Sequence, residues 1–171
     1  GDTRSSVFQN PYPLYMDHGK GCRVWDVDGN EYIDFLNNHT SLIHGHCHPR
    51  IIEVVKQQLD KGQAWTAFNE HQVRLAEILC ERVASVERVR FCNSGTEATM
   101  MALRGARVYT GRSKIVKVEG GYHGGSDFVD ISMVADPAIV GPVDGPLSVP
   151  AGGNSVARSV PAEVVVIPFN D

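Results

Sequence analysis

From Val86 the residue pattern changes period twice in a short distance. "RVRFC" reads as a strand, "NSGTEA" as a turn into a helix running to about Tyr109, and "SKIVKV" as a second strand. Two strands separated by a helix pair in parallel through a right-handed crossover, which predicts an α/β fold. The apolar run "AEVVVIPF" adds another buried strand. Between them, residues 135–161 are rich in Gly and Pro and too long for a routine connection, so they are read as either a functional or a mobile loop.

The preceding half has a different grammar. "CRVWDVDGNEYIDF" carries two β-branched and aromatic runs around Asp28-Gly29, a dipeptide suited to a tight turn, and predicts a β-hairpin over 22–36. "HPRIIEVVKQQLDKG" opens on Pro49, sets Ile51, Ile52, Val55 and Leu59 near one face and closes on Gly62, so it predicts an amphipathic helix. A second helix is predicted in "NEHQVRLAEILCERVAS", where Asn69 and Gln72 have capping-box spacing and Leu75, Ile78, Leu79 and Val83 form the apolar stripe.

A chain of 171 residues holds one domain with a sizeable core, or one domain and the edge of a second. Its 16 Lys and Arg are dispersed among 20 Asp and Glu, so no basic footprint for nucleic acid exists. No apolar run approaches the length of a membrane span, and "GDTRSSVFQNPYP" lacks a signal peptide's apolar stretch; the expectation is a cytoplasmic protein. Cys22, Cys47, Cys80 and Cys92 form no C-x-x-C pair and are read as reduced thiols.

Chemistry concentrates after the first predicted parallel strand. Ser94 and Glu97 have capping-box spacing, Gly95 permits close approach to the backbone, and Thr96 adds a hydroxyl beside unpaired N–H groups. A phosphate fits such a helix start, and so does a well-capped helix with no ligand; the residues alone leave both open. There is no Walker sequence and no G-x-G-x-x-G, which argues against ATP or NAD. One strand later, "EGGYHGGS" surrounds Tyr122 and His123 with glycines at the carboxyl end of "KIVKV", where an aromatic face can cover a flat ligand ring or simply decorate a flexible turn.

"IHGHCHPR" spaces His44, His46 and His48 at alternate positions, with Cys47 among them. Alternate residues of an extended segment share a face, but Cys47 then points away, and zinc requires three or four convergent ligands. The segment is read as a turn into the first helix, with His48 at the cap, and no metal is expected.

"RFCNSGTEATMMALRGARVYTGRSKIVKVEGGYHGG" resembles the class III aminotransferases, which use pyridoxal 5′-phosphate, and most closely the glutamate-1-semialdehyde aminomutase branch. "GCRVWDVDGNEYIDF" and "GHCHP" resemble the hairpin and the G-H-x-H-P turn of that family. The resemblance implies a fold type I α/β transferase, with residues 1–65 as a small-domain segment and 66–171 as the start of the large mixed-sheet cofactor domain. It implies that Ser94, Gly95 and Thr96 bind the cofactor phosphate and that Tyr122 stacks on the pyridine ring with His123 beside it. It also implies a homodimer acting on a small-molecule amino donor and acceptor by transfer or migration of an amino group. Where the aminomutase branch carries Ser-Trp-Gly beside the substrate, this chain has Asn38-His39-Thr40, so Asn38 and His39 are candidate substrate contacts, His39 being equally readable as a surface histidine. The family's Schiff-base lysine matches none of Lys20, Lys56, Lys61, Lys114 and Lys117, and it is expected beyond Asp171 together with the acid for the pyridine nitrogen. The chain is accordingly expected to be the N-terminal part of a longer enzyme, inactive alone. Two other readings are a non-catalytic phosphate-binding module and a histidine-rich metal-binding protein.

Overall fold

The computed structural model describes residues 10–133, 136, 138–151 and 155–170. The chain forms two compact units, Gly1–Leu75 and Ala76–Asp171, which divide within a helix.

In the first unit, β1 (Met16–Lys20), β2 (Arg23–Asp26) and β3 (Glu31–Ile33) form an antiparallel meander in the order β1-β2-β3. The predicted hairpin is the β2–β3 pair, with Arg23 opposite Ile33 and Trp25 opposite Glu31. Arg23 and Glu31 also form an ion pair across it. Its turn differs from the expected two-residue form. Asp26 N–H donates to the Asn30 carbonyl at 3.1 Å and Gly29 N–H to the Asp26 carbonyl at 3.0 Å, so three residues make the loop. Gly29 alone in it takes positive φ, 85°. This is the geometry of a turn closed by a glycine bulge. β1 was not foreseen, because "MDHGK" has neither alternation nor β-branched residues; it forms because β2 offers it an edge.

A single turn, α1 (Asn37–Thr40), follows, and then α2 (Pro49–Leu59) and α3 (Glu70–Arg82), which contains the unit boundary. Pro49 starts α2 as expected. His48 occupies its N-cap position without a side-chain capping bond. α3 is capped by the Asn69 side chain, which accepts from Gln72 N–H at 3.0 Å. The expected apolar stripes are present, yet neither helix buries a residue among those described.

In the second unit, α4 (Gly95–Thr110), β4 (Ile115–Val118), the short α5 (Val160–Glu163) and β5 (Val164–Ile167) follow in order. β4 and β5 pair in parallel, with Ile115 opposite Val164 and Val118 opposite Ile167. "RVRFC" is not a strand here: no described residue forms a ladder with it, and propensity without a partner leaves the backbone unpaired. β5 is buried at alternate residues only, because Val165 and Ile167 point away from the core. That core is Ile131, Val160, Val164 and Val166, with Phe128 and Val156 packed against it.

The described part of the long loop is fastened rather than loose. Buried Ser132 donates its N–H to the Val149 carbonyl and its hydroxyl to the Leu147 carbonyl, at 2.6 and 2.9 Å. The Ser148 hydroxyl donates to the Val164 carbonyl. Residues 134, 135, 137 and 152–154 of this region lie outside the described set.

Candidate functional site

Ser94 has extended backbone, φ −150° and ψ 161°, and its hydroxyl accepts from Glu97 N–H at 3.1 Å. The Glu97 carboxylate turns back to accept from Asn93 N–H at 2.7 Å. Ala98 N–H makes the first helical bond, to the Ser94 carbonyl at 3.1 Å. The N–H groups of Gly95 and Thr96 therefore have no acceptor among the described residues, and a Cβ on Gly95 would meet nothing within 4 Å. Two aligned donors at the positive end of a helix of 16 residues fit an anion.

The glycine-rich segment after β4 closes onto this turn. Gly120 N–H donates to the Ser132 carbonyl at 2.8 Å, and Gly125 N–H to Thr96 Oγ1 at 3.1 Å. Because that hydroxyl is already an acceptor, its own proton remains for an incoming oxygen. Gly124, at φ 99°, lies so close that a Cβ there would stand 2.6 Å from Thr96 Oγ1 and 2.8 Å from its Cα. Sequence reading treated this glycine as loop freedom; it is a close backbone approach. The two segments are thereby brought together, and they carry Ser94, Gly95 and Thr96 on one side and Tyr122 and His123 on the other. Tyr122 is 70% exposed, leaving its ring face available. The His123 ring folds back over Gly121, its Nε2 being 2.7 Å from where a Cβ would be.

Beneath the loop, Lys117 is buried on β4 and donates from Nζ to the Val118 carbonyl at 3.1 Å. Burial holds its ammonium below the ordinary lysine value, against the opposing fields of Asp130 and Glu119. Nothing in the sequence marked it, since a lysine in a strand reads as solvent-facing. On the flank of α4 is a cleft of about 420 Å³ lined by residues including Leu103, Arg107 and Phe128. There the Arg107 guanidinium sits 4.1 Å from the Phe128 ring centre and bonds Glu163 of α5 at 3.2 Å, so the cleft's groups are engaged in packing.

Asn38 and His39 belong to the first unit. The Asn38 side chain donates to Ser41 Oγ at 3.0 Å, whereas exposed His39 makes no hydrogen bond to a described residue. The histidine turn is tied to the meander: His46 and Gly21 exchange backbone bonds of 2.8 and 2.9 Å, and His46 Nε2 meets Asp34 Oδ2 at 2.7 Å. His44 and His48 contact each other with ring centres 5.4 Å apart, while His48 Nδ1 is buried without a hydrogen-bond partner among the described residues. No group of three potential ligands converges among the described residues. The sequence missed Asp34 as the partner of His46, because pairing across twelve residues has no local signal.

Residues 5–136 match the aminotransferase class-III family profile. The chain is 43% identical, over 95% of its own length and 36% of the relative's, to glutamate-1-semialdehyde 2,1-aminomutase 2 of Halalkalibacterium halodurans. Among solved structures it is similar to an omega-transaminase from Sphaerobacter thermophilus, with a TM-score of 0.92 and 46% identity over 99% of this chain and 38% of that one. A transaminase with PLP bound matches at a TM-score of 0.88 and 43% identity, over 99% of this chain and 38% of that one. The chain thus spans little more than a third of the length of these relatives.

Proposed function

On the premise that the chain belongs to the class III aminotransferase family and shares the α/β fold of its fold type I members, we propose that the whole protein is a pyridoxal-phosphate-dependent enzyme. It transfers or moves an amino group on an amino-acid-like substrate, and these residues hold its cofactor. The observation that carries the reading is the junction of the α4 mouth with the glycine loop. Two N–H groups unpaired among the described residues, a hydroxyl with a proton to donate and an exposed tyrosine face come from segments locked together at Gly124 and Gly125.

Bound pyridoxal phosphate supplies a conjugated ring that accepts the electron pair released when a bond at the substrate's amino-bearing carbon breaks. The chain's own residues do the holding. Gly95 and Thr96 N–H and the Ser94 and Thr96 hydroxyls donate to the phosphate, Ser94 also capping the helix by accepting from Glu97 N–H, and Tyr122 covers the ring with His123 beside it. Asn38 and His39 contact the substrate. Their difference from the Ser-Trp-Gly of the aminomutase branch favours a transaminase substrate over glutamate-1-semialdehyde.

The domain assignment, residues 1–65 to the small domain and 66–171 to the cofactor domain, is part of the same proposal; the chain's two compact units divide after Leu75, inside α3. We further propose a cytoplasmic homodimer; no described helix is long and apolar enough to cross a membrane.

The test is Thr96→Ala in the whole enzyme. Loss of a hydrogen bond to a charged group is worth about 1.5–3 kcal/mol, so the dissociation constant for pyridoxal phosphate should rise roughly ten- to a hundredfold in an absorbance titration. Equal affinity in the two proteins would remove Thr96 from the site.

A further inference from the structure

Asn37, Asn38, His39 and Thr40 have φ of 52°, 48°, 53° and 69°, so α1 is one turn of left-handed helix built without glycine. Each such residue is disfavoured by the approach of its Cβ to the following carbonyl oxygen, and Thr40, branched at Cβ, most of all. A conformation of this kind persists only where its surroundings over-determine it. Here the surroundings are specific. The Asp34 carboxylate accepts at Oδ1 from Leu36 N–H at 2.9 Å and Asn37 N–H at 2.8 Å, and at Oδ2 it meets His46 Nε2 at 2.7 Å.

Both partners are anchored independently of the turn. Asp34 N–H donates to the Cys22 carbonyl at 2.8 Å, and His46 is paired with Gly21 through its backbone. The His46 ring rests on Gly19, where a Cβ would lie 2.7 Å from Cγ. The turn's far end is closed by Thr40 N–H to the Leu36 carbonyl at 3.1 Å and Leu42 N–H to the Asn37 carbonyl at 3.2 Å. Its start therefore hangs on one carboxylate, and that carboxylate is oriented by one imidazole.

We propose that Asp34 and His46 are positioning residues for substrate recognition: the pair sets the left-handed turn, and the turn presents the Asn38 amide and the His39 imidazole to the amino substrate. The proposal rests on the assignment of Asn38 and His39 to the substrate made above and extends it to the residues that hold them. The strain lies beneath a side chain that has no hydrogen-bond partner of its own among the described residues, which is where an external ligand would repay it. Neutral or charged, His46 can donate to Asp34. The carboxyl is held below its ordinary range first by His46 and next by the Asn37 N–H, in keeping with a carboxylate bonded on both oxygens.

The experiment uses the whole enzyme loaded with pyridoxal phosphate and L-alanine, β-alanine and 1-phenylethylamine as amino donors. KM, kcat and cofactor affinity are measured for wild type, His46→Ala, His46→Gln and His46→Ala combined with Thr40→Gly. His46→Ala should raise KM for the preferred donor at least tenfold while cofactor affinity changes less than twofold. His46→Gln, which still donates to Asp34, should stay within about threefold of wild type. Thr40→Gly, which accepts left-handed backbone without a Cβ, should restore most of the loss. If His46→Ala does not fold, Asp34→Ala carries the same expectation, because it removes the acceptor of the Leu36 and Asn37 N–H groups and the partner of His46 together. Wild-type KM values in His46→Ala for every donor, or a loss that neither Gln nor Thr40→Gly restores, would overturn the proposal while leaving the cofactor assignment standing. A wild type that bound no pyridoxal phosphate would overturn both.

Discussion

The Asp26 carboxylate is buried at 5% exposure and accepts from Asp28 N–H, Asn30 N–H, the Asn30 amide and the Tyr32 hydroxyl, the last at 2.7 Å. These bonds, the Asn30 side chain first and Tyr32 next, hold its pKa below the ordinary carboxylate value, and the bond to Asp26 raises that of Tyr32 in return. The sign for stability follows from which state binds the proton first. Above about pH 4, the unfolded value, the stabilisation is fully present; as pH falls from there through the lower folded value, the unfolded chain takes the proton earlier and the stabilisation is lost. Asp26→Asn should therefore flatten the acid limb of the stability–pH curve, measured by circular dichroism between about pH 5 and 2, and lower stability at neutral pH. An unchanged acid limb would show that Asp26 does not govern it. The sequence pointed at Asp28-Gly29 and missed Asp26, because a propensity for turns locates the bend and says nothing of which carboxylate is folded under it.

At the scale of elements, the decisive contact is between the α4 start and the loop after β4. Gly124 and Gly125 look equivalent in "YHGGS", and the structure separates them. Gly124 needs φ 99° and would drive a Cβ into Thr96, whereas Gly125 has open space where a Cβ would go. Gly124→Ala should displace the loop from the helix mouth and weaken cofactor binding tenfold or more, while Gly125→Ala, which keeps its N–H, should change it less than threefold. Titration of pyridoxal phosphate into both variants of the whole enzyme checks this, and equal effects would mean that the close approach is unimportant. The helix itself was legible: Ser94 and Glu97 announce its start, and Gly111, at φ 67°, ends it. Even so, the capping box is not closed in its usual form, since Glu97 bonds Asn93 rather than the cap residue.

For the molecule as a whole, the apolar stripe of α2 stays exposed within the described residues, with Ile51 at 47%, Val55 at 49% and Leu59 at 49%. Apolar surface of this kind belongs against other protein. Light scattering on the whole enzyme should give twice the protomer mass, as the proposed homodimer requires, and an active monomer at working concentration would count against it. Local pattern determined the α2, α3 and α4 helices, the β2–β3 hairpin and the strand character of β4 and β5, because each is specified by residues a few positions apart; the parallel pairing that sets Ile115 opposite Val164 is not. Motif spacing in the same way pointed to a helix start at Ser94–Thr96 that a phosphate fits and to an aromatic at Tyr122, and the family resemblance is what implied a cofactor site there. Tertiary structure decided the rest. It left "RVRFC" without a strand partner, gave β1 one, paired Asp34 with His46, wound residues 37–40 left-handed, buried Lys117 and set Gly124 against Thr96. Each of these depends on a partner distant in sequence, and pairing energies of that kind leave no period in the chain that a local reading can detect.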